Sequence, residues 1–330
     1  MSFITSDQFR QIVNGYQSTD IADVYASILK KTFLRHDQHL YKVNLDSMTL
    51  RKLDMKINDV LLNEIANLIC TSEKELTDDQ LIILRSKEYS GYKSLSDPRS
   101  IARILPMVDQ RLHGSVSEGL PHEIHFKNGY INVKTTDFEK RTKFVLNYID
   151  RDYTPSTNSD RASIKLILAK IYPSIKERLY ILNTLGSAFS GQVKKDRTSL
   201  FLLGKSSAGK SLLMQMIQAG FSDIYVREFA SNTFAKSNPN RNKIMNQFLK
   251  SSQIRITWVN ELLGKIDDSL FKSFCEGSVI TTQLYKDGTD VIPHHSKVVL
   301  TSNEMPNIKM DTGIASRIVS YHHVSHFTDD

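Results

Sequence analysis

Apolar positions in the first part of the chain recur at the spacing of a helix face. Ile21, Val24, Tyr25, Ile28, Leu29 and Phe33 form one stripe, and Val60, Leu61, Ile65, Leu68 and Ile69 form a second. A side chain every third or fourth residue falls on one side of a 3.6-residue turn, so both stretches predict amphipathic helices. Asp59 stands before the second stripe, where it can cap the helix. The texture changes at His125-Phe126-Lys127-Asn128-Gly129-Tyr130-Ile131-Asn132-Val133. There, apolar residues alternate around an Asn-Gly pair, which predicts a β-hairpin. The polar run Thr154-Pro155-Ser156-Thr157-Asn158-Ser159-Asp160 reads as a linker. It divides a mainly helical N-terminal domain, 1–155, from a second domain, 156–330.

Beyond the linker, helix and strand patterns alternate. Residues 162–190 read as helix broken at Pro173, and Thr198–Leu203 is a short apolar run bounded by a glycine loop. Such a run predicts a strand buried on both faces. Leu212–Ala219 continues as helix, and Ile254–Val259, Val279–Leu284 and Lys297–Thr301 are further strands. Strands interleaved with helices imply an α/β fold, with a largely parallel sheet covered on both faces. The chain of 330 residues is long enough for two ordinary domains, and it shows no internal repeat.

The loop after the first of these strands, Gly204-Lys205-Ser206-Ser207-Ala208-Gly209-Lys210-Ser211, matches G-x-x-x-x-G-K-[ST] without a gap. Its glycines let the backbone curl so that successive N–H groups face a phosphate. Lys210 supplies a point charge near the β and γ phosphates of ATP, the Ser211 hydroxyl can ligate Mg²⁺, and the following helix aims its positive end at the anion. Downstream, Arg255-Ile256-Thr257-Trp258-Val259-Asn260-Glu261 is an apolar strand ending in a carboxylate. Glu261 is placed to activate a water and to order Mg²⁺ through one, with Asn260 where an acid is more usual. Lys297-Val298-Val299-Leu300-Thr301-Ser302-Asn303 ends in an amide that can hydrogen-bond the γ-phosphate or its water. Arg317, fourteen residues beyond Asn303, is a candidate arginine finger.

Taken singly, these polar residues have plainer readings as strand-end, turn or surface ion-pair residues. The same holds between the two strands, where Val279–Leu284 and Val291-Ile292 flank Tyr285-Lys286-Asp287-Gly288 and predict a projecting hairpin. Lys286 with Tyr285 at its tip could grip a phosphate backbone, or Lys286 could be an ordinary solubilising residue. His294 and His295 are neighbours, but adjacent strand residues face opposite ways, which argues against a shared metal.

Composition narrows the class. The formal net charge of +7 lies entirely in residues 162–330, in keeping with a polyanionic partner or a solvated basic face. An apolar fraction of 40% fits a globular protein. No stretch approaches the roughly eighteen apolar residues of a membrane span. The N-terminus lacks the layout of a secretory signal, so secretion and membrane insertion are not expected. Cys70 and Cys275 read as free buried thiols in a reducing compartment.

In order, GKSSAGKS, ITWVNE, FCEGSVITTQLYKDG, KVVLTSN and SRIVSY resemble the superfamily 3 helicases of viruses and plasmids. The poxvirus-type and phage/plasmid primase-helicase branch is the most similar, and HFKNGYINVKT and YIDRDYTP resemble its signature upstream of the ATPase. The resemblance implies an AAA+-type P-loop ATPase domain and a homo-oligomeric ring, usually a hexamer. ATP would lie between subunits, with single-stranded DNA in the pore. It gives Lys210 and Ser211 the nucleotide roles, Glu261 the catalytic role, Asn303 the sensor role, Arg317 the finger and Lys286 the grip on DNA. It also implies a primase or polymerase partner and work at a viral replication site or in the host cytoplasm.

Asp287 stands where some relatives carry histidine after the hairpin lysine. Many relatives also have a winged-helix-like extension and an upstream primase domain, neither of which is read here, and no primase activity is expected. Three other readings stay open. They are a nucleotide-dependent assembly or loading ATPase without unwinding, translocation on RNA, and a small-molecule kinase.

Overall fold

The computed structural model of the chain describes residues 18–73, 98–236, 253–282 and 289–328. They fall into two units, Met1–Ser117 with Arg141–Leu146, and Glu118–Lys140 with Asn147–Asp330.

The first unit combines helices α1 (Ser18–Leu29), α2 (Ile57–Glu73) and α3 (Pro98–Arg111) with strands β1 (Phe33–His36), β2 (His39–Asn44) and β3 (Thr49–Lys52). Its strands form an antiparallel meander in the order β1-β2-β3. Phe33, counted in the sequence with the first helical stripe, instead opens β1. The alternation of a strand then separates neighbours. Phe33 and Leu40 pack with Tyr25, Leu61, Ile65 and Val108 of the helices, whereas Leu34, Tyr41 and Leu50 pack with Val116, Phe144 and Leu146. A β-meander is thus part of a region whose periodicity predicted helix.

The second unit begins with β4 (Glu123–Phe126), β5 (Gly129–Asn132) and β6 (Phe138–Glu139). The expected hairpin is present, with Phe126 paired to Gly129 across Lys127 and Asn128. It does not belong to the first unit. Ile124 and Phe126 share a core with Ile149, Leu168 and Tyr172, so the division does not fall at 155/156. The polar run 154–160 is likewise more than a linker, because it supplies the cap of α4 (Asn158–Ile171). Thr157 Oγ1 accepts from the Asp160 backbone N–H at 3.2 Å, and Asp160 Oδ2 accepts from the Thr157 N–H at 2.9 Å. This reciprocal capping satisfies two N–H groups that the helix itself cannot.

Next come α5 (Ile175–Ala188), α6 (Val193–Asp196), β7 (Ser199–Leu203), α7 (Lys210–Tyr225), β8 (Val226–Phe229) and β9 (Ile256–Asn260). The chain continues through α8 (Asp268–Cys275), β10 (Ser278–Thr282), β11 (Thr289–Pro293), β12 (Lys297–Ser302), α9 (Thr312–Ala315) and β13 (Ile318–His322). Five strands form a parallel sheet in the order β13-β7-β12-β9-β8. The expected parallel sheet is therefore present, and its apolar runs have a simple cause. Leu200, Leu202, Trp258 and Val299 face a core closed by Leu168, Ile181, Leu213 and Met214. Phe201, Leu203, Val259 and Leu300 face the other, closed by Leu270, Phe271 and Phe274. With helices on both faces, neither side of these strands can be polar.

Cys275 is a buried free thiol, its pKa pushed up to about 12 by burial; the side chain of Cys70 lies outside the described residues. Among the described residues, no helix is long and apolar enough to cross a membrane.

Arg255, fully buried just before β9, ties the segment leading into β4 to this sheet. Its guanidinium donates to the carbonyl of Pro121 at 2.8 Å and to Gln253 Oε1 at 2.9 Å, and it lies 5.8 Å from the Tyr225 ring centroid. Burial lowers its pKa to about 10, only partly opposed by Tyr225. Replacing it leaves buried acceptors short of a donor, which costs about 3 kcal/mol. Arg255→Met should lower the denaturant midpoint accordingly and speed amide exchange across 120–126; an unchanged midpoint would refute this role.

Candidate functional site

Register places the ends of three strands side by side. Leu203 pairs with Ser302 across β7 and β12, and Thr301 pairs with Asn260 across β12 and β9. The next residues, Gly204, Asn303 and Glu261, therefore emerge together at the carboxyl edge of the sheet. In parallel α/β sheets this edge is where crevices form. Here a cleft of about 390 Å³ opens, lined by Ser206–Leu212, Glu261, Asn303, Phe327 and Thr328.

The loop between β7 and α7 owes its path to two glycines. Gly204 has φ 139°, and a Cβ there would lie 2.9 Å from the His323 carbonyl oxygen, so a side chain is barred where the end of β13 passes. Gly209 has φ 84° and precedes the first turn of α7; its Cβ would meet Ile171 Cγ1 at 3.0 Å and Phe327 Cε2 at 3.2 Å. No side chain caps α7. Its first N–H groups and its positive end are thus left to the cleft, an arrangement suited to an anion.

Lys210 is the centre of this arrangement. Although almost wholly buried, its ammonium is held by three oxygens: the carbonyls of Gly204 and Lys205 (the latter at 2.8 Å) and Asn303 Oδ1 at 3.2 Å. Burial lowers its pKa, and the nearby Glu261 carboxylate opposes that shift. Gly204 and Lys205 therefore position the lysine, while Ser206 to Ser211 form the wall of the cleft.

Glu261 adopts φ 51°, a left-handed conformation unusual for a residue with a side chain. The turn is fixed from its own backbone, whose N–H donates to the Thr301 carbonyl at 2.8 Å. Its carboxylate accepts from Ser302 Oγ at 3.4 Å. Asn260 faces a different task. Trp258 Nε1 donates to Thr301 Oγ1, which donates on to Asn260 Oδ1, each at 2.9 Å. The amide oxygen of Asn260 is thus engaged within the sheet.

Ser211 and Glu261 line the same cleft and are both hard oxygen donors, which suits Mg²⁺. No group of three His, Cys, Asp or Glu among the described residues could hold a metal by itself. A magnesium ion would therefore take most of its ligands from a bound anion and water. His294 is buried against Phe274, whereas His295 Nδ1 lies 2.9 Å from the Gly191 carbonyl, so the two rings have separate surroundings.

Arg317 is not in this cleft. It precedes β13, whose Ile318 pairs with Ser199, the first residue of β7. That is the opposite end of the strand from the loop, roughly 16 Å away at about 3.3 Å per residue. Its guanidinium pairs with Glu276 and donates to the Gly313 carbonyl at 2.6 Å. Strands β10 and β11 form an antiparallel hairpin, Thr282 pairing with Thr289. Tyr285 and Lys286, between the two strands in sequence, lie outside the described residues.

No pattern in the sequence marks the segment after β13, yet it forms one wall of the site. The His323 N–H donates to the Leu203 carbonyl at 2.7 Å, Ser325 Oγ donates to the Ile171 carbonyl at 3.0 Å, and the Phe327 N–H donates to the Ser207 carbonyl at 2.8 Å. The His323 ring bridges the Leu203 carbonyl and the Tyr172 hydroxyl, at 3.2 and 3.0 Å. Only a neutral ring can donate to the first while accepting from the second. Spacing could not reveal this wall, because each contact joins residues more than a hundred positions apart.

Burial lowers the pKa of His323 to about 4, only partly opposed by its bond to Leu203. The unfolded chain then takes up the proton first, so stability is complete above the ordinary histidine pKa near 6.5 and declines as pH falls toward 4. The full effect is on the order of 3 kcal/mol. His294, lowered to about 3 mainly by burial, acts in the same direction. Unfolding measured from pH 7 to 4.5 should show this loss, and His323→Gln should flatten it; an equal slope in the variant would exclude His323 as a source.

No family matches the chain, and no curated protein does. Among solved structures it is similar to the apo structure of the NrS-1 C-terminal region (305–718), at 12% identity and a TM-score of 0.41 over 70% of this chain and 54% of that one. The A-form apo structure of the NrS-1 C-terminal region gives 12% and 0.40 over 68% and 52%. The chain thus spans about half the length of these structures. Scores of this size do not establish a shared family.

Proposed function

We propose that the protein is an ATP-hydrolysing DNA translocase, a ring-forming helicase of the superfamily 3 type with an AAA+-type P-loop ATPase domain. The observation that carries this reading is the convergence of the 204–211 loop, Glu261 and Asn303 in one cleft at the ends of three adjacent parallel strands. In this reading the triphosphate lies along the loop, its oxygens taken by the N–H groups at the start of α7. Lys210 moves from its carbonyl partners to the β and γ phosphates. Mg²⁺, when bound, neutralises phosphate charge, with Ser211 as a direct ligand and Glu261 acting through water.

Hydrolysis needs a water aligned with the γ-phosphate. Glu261 accepts a proton from that water, and Asn303 donates its amide to the γ-phosphate. Because Asn303 also contacts Lys210, loss of the γ-phosphate changes the partners of both residues. Arg317, distant from its own cleft, supplies positive charge to the cleft of a neighbouring subunit and leaves Glu276 to do so. The β10–β11 hairpin carries Lys286 and Tyr285 to the phosphates of single-stranded DNA in the pore of the ring, contacts that position the strand without reading its sequence.

One observation favours a second reading, nucleotide-dependent assembly with slow turnover. The Asn260 oxygen already accepts from Thr301 Oγ1, which leaves one lone pair where an acid would offer a second, charged oxygen to the water shell of a metal. Turnover rate separates the two readings.

Lys210→Ala should abolish binding of a fluorescent ATP analogue. Glu261→Gln should bind it normally and hydrolyse ATP about a hundredfold more slowly. Single-stranded DNA should stimulate wild-type hydrolysis more than RNA does, and Lys286→Ala should lose that stimulation together with unwinding. Negligible turnover with nucleotide-dependent oligomers would instead support the assembly reading.

The position of Arg317 generates a separate test. Arg317→Ala and Lys210→Ala should each be inactive alone. Mixing them should restore part of the ATPase rate, because some mixed interfaces combine an intact Lys210 with an intact Arg317. No recovery in oligomers shown to exchange subunits would rule out the finger.

A further inference from the structure

The cleft has two chemically different ends, and the proposed hydrolysis uses only one. Strand β7, which leads into the loop, has β12 on one side and β13 on the other. Lys210, Asn303 and Glu261 gather on the β12 side, where charge and hydrogen-bonding groups concentrate. On the β13 side the cleft is lined by Phe327 and Thr328. Leu212, in the first turn of α7, also lines it.

Phe327 is held there by the loop itself. Its backbone N–H donates to the Ser207 carbonyl at 2.8 Å, and its ring edge lies 3.2 Å from where a Cβ on Gly209 would stand. Ser325, two residues earlier, is tied to the carbonyls of Lys170 and Ile171, each at 3.0 Å. The segment is therefore fixed on both sides of the loop. Even so, Phe327 leaves 37% of its surface exposed and Leu212 leaves 48%. A large ring held in place but incompletely covered, beside an anion-binding loop, has an unused apolar face.

We infer that Phe327, flanked by Leu212, is the platform on which the base of the bound nucleotide stacks. This deepens the proposed function and rests on it: with the γ-phosphate at Lys210, Asn303 and Glu261, the opposite end of the nucleotide extends toward β13. Stacking reads the presence of a flat π face more than its hydrogen-bonding edge. The platform thus makes the site select nucleoside triphosphates over bare polyphosphate, with little discrimination between adenine and guanine.

Binding of ATP, GTP and inorganic tripolyphosphate to the full chain, each with Mg²⁺, tests this by calorimetry. The wild type should bind ATP and GTP with similar affinity, both about tenfold more tightly than tripolyphosphate. Phe327→Ala and Phe327→Leu should bring ATP down to the tripolyphosphate level while leaving tripolyphosphate unchanged, and Phe327→Trp should retain the preference. Unchanged tripolyphosphate binding also shows that the loop is intact in each variant. The inference is overturned if either Phe327→Ala or Phe327→Leu binds ATP as the wild type does. It is equally overturned if tripolyphosphate affinity falls together with that of ATP, since Phe327 would then be supporting the loop. Failure of the wild type to bind any of the three would sink the nucleotide reading itself, a result distinct from either of these.

Discussion

Parallel pairing between β7, β12 and β9 is the constraint on which the rest of the second unit depends. Each strand is covered by helices on both faces, so each contributes apolar side chains to two cores at once. A register slip by one residue would exchange the faces of every side chain in a strand. The cores therefore fix the register, and the register fixes which residues emerge together at the carboxyl edge. Gly204, Asn303 and Glu261 are neighbours because Leu203, Ser302, Thr301 and Asn260 are paired.

That edge is polar only where the buried strands end, and its polar groups hold one another in place. The Lys210 ammonium bridges the loop and Asn303, which joins β7 to β12 at their tips. One residue earlier, Trp258, Thr301 and Asn260 form a chain of hydrogen bonds between β9 and β12. Such cross-strand bonds keep the strand ends from fraying. They also distinguish Asn260 from Glu261: one side chain is engaged in the sheet, whereas the other is turned outward by a left-handed backbone.

Lys210, Glu261 and Asn303 are polar groups gathered where a charged ligand would use them, at the cost of burying an ammonium. His323 and Phe327 have a different place. They come from the segment that follows β13, and backbone hydrogen bonds join them to Leu203 at the end of β7 and to Ser207 of the loop. The proposed hydrolysis and the proposed base platform thus divide the cleft along the line of β7, with the loop serving both.

By itself the sequence determined the features that are local. The buried strands, the helices after them, the glycine loop and the hairpin at 123–132 are each encoded within a few consecutive residues, through apolar runs, periodicity and turn chemistry. Glu261 and Asn303 were legible for the same reason, since each directly follows an apolar run. Only the tertiary structure decided what depends on distant pairing. Phe33 sits in a strand because its meander buries it against helices, although its spacing fits a helical stripe equally well. The 123–132 hairpin belongs with the parallel sheet because Ile124 and Phe126 share its core and Arg255, more than a hundred residues later, holds the segment leading into it. Phe327 could not be read from its neighbours at all, because what gives it a place is a hydrogen bond to Ser207 and the absence of a side chain at Gly209.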